Sequence, residues 1–90
     1  MPSYLVETFL ARGDAGGRAS REQRARSAAV ELSGHGTRVR FDRTIHVPED
    51  EICFFVFDAA SGREAALAAQ VAGLDALRVV EAVSSGQEER

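Results

Sequence analysis

Three consecutive stretches decide the fold: Arg38-Val39-Arg40-Phe41-Asp42-Arg43-Thr44-Ile45-His46-Val47, Pro48-Glu49-Asp50-Glu51, and Ile52-Cys53-Phe54-Phe55-Val56-Phe57-Asp58. The first alternates with a period of two, as a half-buried strand does, and the last is apolar at almost every position. The polar turn between them makes the pair a β-hairpin. With that turn centred on Glu49 and Asp50, facing residues have numbers that sum to 99, so Val47 faces Ile52, His46 faces Cys53, Ile45 faces Phe54 and Arg43 faces Val56. Residues opposite each other share a face of the sheet. One face is therefore expected to carry Phe41, Arg43, Ile45, Val47, Ile52, Phe54 and Val56. The other is expected to carry Asp42, Thr44, His46, Cys53, Phe55 and Phe57.

Before the hairpin, Tyr4-Leu5-Val6-Glu7-Thr8-Phe9 reads as a strand rich in aromatic and β-branched residues. A glycine-punctuated loop over 10–19 follows, and Ser20-Arg21-Glu22-Gln23 has the form of a capping box. The helix it opens is expected to run to about Ser33, with Ala25, Ala28, Ala29 and Leu32 on one stripe and Gly34 and Gly36 ending it. After the hairpin, Ser61-Gly62-Arg63-Glu64 forms a second capping box, Gly73 closes the second helix, and Leu77 to Val83 reads as the last strand. The order β-α-β-β-α-β is the ferredoxin-like arrangement. Right-handed crossovers then give a four-stranded antiparallel sheet of order 4-1-3-2 with both helices on one face. Residues 1–83 form a single α+β domain on this reading, and the polar stretch 84–90 is expected to be a disordered tail.

Length and composition agree. Ninety residues make one domain at most, and 44% hydrophobic with 28% charged residues is globular. No apolar run approaches the roughly 20 residues that span a bilayer. Met1-Pro2-Ser3-Tyr4 passes straight into a strand with no signal-peptide pattern, so a cytoplasmic protein with no membrane partner is expected. The lone Cys53 allows neither an internal disulfide nor a multi-cysteine zinc site. Charge is uneven: through Val47 eight arginines face five acids, giving +3, and from Pro48 onward three arginines face nine acids, giving −6. That local excess falls short of the domain-wide basic surface of a nucleic-acid binder, and Ile52 to Phe57 lacks the glycine and basic residue of an RNA-stacking strand. No phosphate-binding loop or nucleophile elbow is present.

The central strand is apolar on both faces, and two helices can cover only one. A bare face with phenylalanine-sized side chains makes an apolar patch of roughly several hundred Å², which marks a contact surface. A homodimer in which the open faces meet is expected.

Tyr4-Leu5-Val6-Glu7, Val39-Arg40-Phe41, Val47-Pro48-Glu49-Asp50-Glu51, Cys53-Phe54, Phe57-Asp58-Ala59 and Val80-Glu81-Ala82-Val83 together resemble a family of small ferredoxin-fold proteins labelled nickel-binding-like, otherwise a domain of unknown function. The resemblance covers Tyr4 to Val83 and implies an intracellular dimeric α+β barrel that binds nickel or another divalent transition metal. Some relatives carry a histidine where this chain has Arg43, and another near Ala68.

The residues themselves offer a few candidates. Glu7 and Glu81 lie mid-strand on strands expected to be neighbours and could line a cavity as metal ligands or proton acceptors. The plainer alternative is that each pairs with an arginine such as Arg43 or Arg78 across the subunit contact. His46 opposite Cys53 is the one imidazole–thiol pair available to a transition metal, and its plainer reading is a hairpin histidine beside a core cysteine. Arg43 interrupts an apolar face and calls for a carboxylate, from the protein or from an acidic ligand, with Phe41 and Phe54 as apolar walls. His35 sits between two glycines as a loop residue. Three functions follow: a dimeric metal- or ligand-binding protein, an interaction dimer without a small-molecule site, and a cofactor-free dimeric α+β barrel enzyme. The lack of a clear acid–base pair places the enzyme last.

Overall fold

A computed structural model describes residues 1–85. Its elements are β1 (Ser3–Phe9), α1 (Ala15–Gly34), β2 (Val39–Val47), β3 (Ile52–Ala59), α2 (Gly62–Ala72) and β4 (Arg78–Ala82). A single 3₁₀ turn, Pro48–Asp50, joins β2 to β3. The sheet order is β2-β3-β1-β4, the expected order read from the other edge, and all three pairings are antiparallel. Most of the tail expected beyond Val83, residues 86–90, lies outside the described residues.

Local chemistry explains the helix ends. Ser61 caps α2: its hydroxyl accepts from the Arg63 amide at 3.2 Å and donates to the Glu64 carboxylate at 2.9 Å. Both helices close with paired amide bonds reaching back three and five residues, around glycines in the left-handed region, Gly36 at φ 96° and Gly73 at φ 68°. The start of α1 differs from expectation. Asp14, not Ser20, is the N-cap, accepting from the Gly17 amide at 2.8 Å, so the helix runs through Gly16 and Gly17. Its entry is pinned from outside. Buried Leu10 donates its amide to the Glu51 carbonyl at 2.9 Å, and the Arg12 amide donates to the Glu51 carboxylate at 3.0 Å. Little chain is left to turn before a cap is needed, and Asp14 is the first residue able to supply one. Glu51 holds this position at φ 54°, a left-handed conformation uncommon for a non-glycine residue.

The helices cover the face that bears Val6, Thr8, Cys53, Phe55, Phe57, Val39 and Phe41, all buried. Their contribution is mainly small: Ala25, Ala28 and Ala29 from α1, and Ala65, Ala68, Ala69 and Ala72 from α2. Alanines bury little each but let the helices approach the sheet closely, so the strand aromatics fill the space between. Thr8 satisfies its buried hydroxyl by donating to the Cys53 carbonyl at 2.8 Å.

The hairpin register corrects one expectation. Partner numbers sum to 99 only from Arg43 to Val47; Asp42 is an extra residue in a β-bulge, and beyond it Phe41 pairs with Phe57, Arg40 with Asp58 and Val39 with Ala59. One inserted residue moves everything past it to the opposite face. Phe41 therefore lies under the helices, edge-on to Phe57 at 5.5 Å with the Arg26 guanidinium over its ring, instead of on the open face.

Candidate ligand site on the open sheet face

The face away from the helices is built row by row from the ladder. Val47, Ile52 and Phe9 form one row; Ile45, Phe54, Glu7 and Arg78 the next; then Arg43, Val56, Leu5 and Val80; then Arg40, Asp58, Ser3 and Ala82. Eight of these side chains are large and apolar, and no helix covers them. Phe9 is 56% exposed and Ile45 38% exposed, while Val56 at the centre is buried by its neighbours. Over Val56 and Leu5 runs an open groove of about 340 Å³, walled on one side by Asp42, Arg43 and Ile45 and on the other by Val83 and Ser84. A larger hollow of about 500 Å³ lies between α2 and β4, lined by three alanines with Gly73, Val79, Gln70 and Asp75, and none of these is a basic side chain.

Three ion pairs stand on or beside this face. The Arg78 Nε donates to Glu7 Oε1 at 2.7 Å, and the Arg40 Nη2 donates to Asp58 Oδ2 at 2.7 Å. The Arg43 Nη1 donates to Asp42 Oδ2 at 2.9 Å. Asp58 also accepts from the Ser3 hydroxyl at 2.8 Å. Burial works against ionisation of Asp58, but the hydrogen bonds from Arg40 and Ser3 outweigh it and hold the carboxyl below the usual aspartate range. The sign is then fixed. A lowered folded value means this carboxylate stabilises the fold above its unfolded pKa, about 3.9, and the contribution is lost as pH falls through the lowered value. Asp58→Asn should cost about 1 kcal/mol or less at neutral pH. Its stability difference from the parent should shrink towards zero in acid, read from urea unfolding at a series of pH values.

The candidate residues divide between the two faces. Glu7, Arg43 and Phe54 are on the open face. Glu81 is not, because β1–β4 partner numbers sum to 85: Glu7 faces Arg78, and Glu81 faces Tyr4 on the helix side, exposed at the sheet edge. Neither glutamate pairs with Arg43, and Glu7 finds its arginine within the same chain. His46 and Cys53 do face each other, as expected, but beneath α1. Cys53 is fully buried, and burial pushes its thiol pKa up, which suits a core residue more than a nucleophile. The His46 Nε2 and Thr44 Oγ1 are buried without hydrogen-bond partners among the described residues. Among the described residues no three His, Cys, Asp or Glu side chains gather where they could hold one ion. The four ligands expected for a metal therefore do not form a cluster within one chain. The Ser3–Asp58–Arg40 cluster was missed, and it could have been found only with the bulge known, since the register of 99 sets Arg40 against the wrong residue.

These elements define a ferredoxin-like βαββαβ domain with one sheet face left open. No family model and no curated protein matches the sequence. Among solved structures the chain is similar to the crystal structure of SCO4226 from Streptomyces coelicolor A3(2), with a TM-score of 0.74 over 92% of this chain and 98% of that one. At 12% sequence identity the likeness concerns the fold alone.

Proposed function

We propose that the protein is a homodimeric binding protein, its two open sheet faces meeting around a chamber for a small ligand. The observation that carries this reading is the uncovered apolar face, with Phe9 and Ile45 exposed and Phe54 between Ile45 and Glu7. Four strands about 4.8 Å apart and some seven residues long, at about 3.3 Å per residue, present about 440 Å² in flat projection. Eight of the fifteen side chains on it are large and apolar, so roughly half of that area, about 200–250 Å², is apolar, and apolar surface gathered on one uncovered sheet face supports reading it as a contact site. Sheets stacked face to face lie about 10 Å apart. Large side chains such as Phe54 fill that gap, whereas the groove over Val56, flanked by Ser3 and Ala82, leaves room for a small molecule.

Binding is favoured over catalysis because each carboxylate described on this face is held by an arginine, which leaves no free acid–base pair on the face. Nickel, implied by the family resemblance, finds a poor donor set. His46 and Cys53 face the helices while Glu7 faces away, and two donors fall short of a transition-metal coordination shell. Sedimentation velocity on tag-free protein tests the dimer: twice the chain mass is expected, and a lone protomer at high concentration overturns it. Nickel titration by calorimetry should give only heat of dilution. Saturable binding would restore the metal reading.

A further inference from the structure

We infer that the groove over Val56 and Leu5 takes a small organic acid with an apolar body, its carboxylate held by Arg43. The inference rests on reading the open face as one wall of a ligand chamber, and it names what the chamber accepts.

The three arginines of this face are not equivalent. Arg78 and Arg40 are committed to carboxylates that are themselves largely buried, Glu7 at 19% and Asp58 at 14% side-chain exposure. Arg43 is held differently. Its partner is its own chain neighbour Asp42, the bulge residue, and the two side chains are 66% and 37% exposed. Each of the three arginines makes one side-chain hydrogen bond among the described residues, so what sets Arg43 apart is the exposed carboxylate that holds it and its place on the groove wall. An exposed pair of this kind is weak, and the rest of the guanidinium fork is unused.

Pairing with Val56 puts Arg43 on the open face, on the groove wall, while Val56 and Leu5 make an apolar floor; the bulge adds the extra residue Asp42 beside it as its one carboxylate partner. A fork with spare donors above an apolar floor is complementary to a carboxylate attached to a hydrocarbon or aromatic body. Once a second copy covers the face, a half-satisfied guanidinium is costly, so the carboxylate also meets a need that water met before. The volume of about 340 Å³ suits an acid of benzoate or octanoate size.

The test is calorimetric titration of the dimeric protein with benzoate and octanoate, and with benzamide and octanamide as uncharged counterparts. Saturable binding of an acid, with its amide at least about tenfold weaker, is expected. Arg43→Met should weaken acid binding about tenfold or more, and Asp42→Asn, which removes the competing carboxylate, should tighten it. Equal affinity for acid and amide overturns the inference, as does unchanged affinity in Arg43→Met. So does the absence of acid binding in protein that sediments as a dimer. Arg43-dependent acid binding in protein that sediments as a single chain would support the inference and overturn the dimer reading alone.

Discussion

Phe54→Glu is expected to turn the proposed homodimer into a monomer that keeps its fold. Phe54 is half-buried at the middle of the open face, with Ile45 on one side and Glu7 on the other. Burying a phenylalanine side chain contributes about 1.5–3 kcal/mol, and the twofold doubles that loss. The substitution also sets a second carboxylate beside Glu7, in a contact where Arg78 can neutralise only one. An uncompensated charge in the seam adds a desolvation cost on each side. Together these should weaken association by at least about two orders of magnitude. Far-UV circular dichroism should be unchanged, because no helix contacts Phe54. Phe54→Leu, which keeps the face apolar, should remain dimeric. A Phe54→Glu protein that still sediments at twice the chain mass would remove the open face as the contact.

The second large effect is in the core. Phe57 is fully buried, faces Tyr4 on β1 and Phe41 on β2, and meets the Phe41 ring edge-on. Phe57→Ala should cost about 3–5 kcal/mol, the range for removing a buried aromatic that its neighbours cannot replace. The helix faces turned to the core are mainly alanine, with Leu32 of α1 a longer apolar side chain packed against it, so the void can be refilled only in part. A domain of this size loses roughly 4–8 °C of Tm per kcal/mol, so a fall of about 15 °C or more is expected by thermal melting. Ile45→Ala, on the open face, should change the stability of the fold itself far less, and similar losses at both positions would contradict the division into a covered and an open face.

The two substitutions probe opposite sides of one strand. Ile52-Cys53-Phe54-Phe55-Val56-Phe57 is apolar throughout, the pattern expected of a strand whose two faces are both to be covered. Helices supply one side. A second copy of the chain is proposed for the other.

What could be read without coordinates was what depends on local pattern. Alternation in Arg38 to Val47, the capping box at Ser61 and the stop at Gly73 are short-range features, each with its own physical cause, and together they give element order and sheet order. The start of α1 was misplaced because two caps compete there, and the choice between Asp14 and Ser20 is made by Glu51, nearly forty residues away, holding the loop. Site residues fared worse for one reason. Which face of a sheet a side chain occupies depends on register, and an odd shift inverts it. The bulge at Asp42 carries Phe41 under the helices, while Arg43 stays opposite Val56 on the open face as its register predicts, and the β1–β4 offset puts Glu81 on the face opposite Glu7. Neither shift leaves a mark in composition or periodicity, because both are settled by packing between strands distant in the chain.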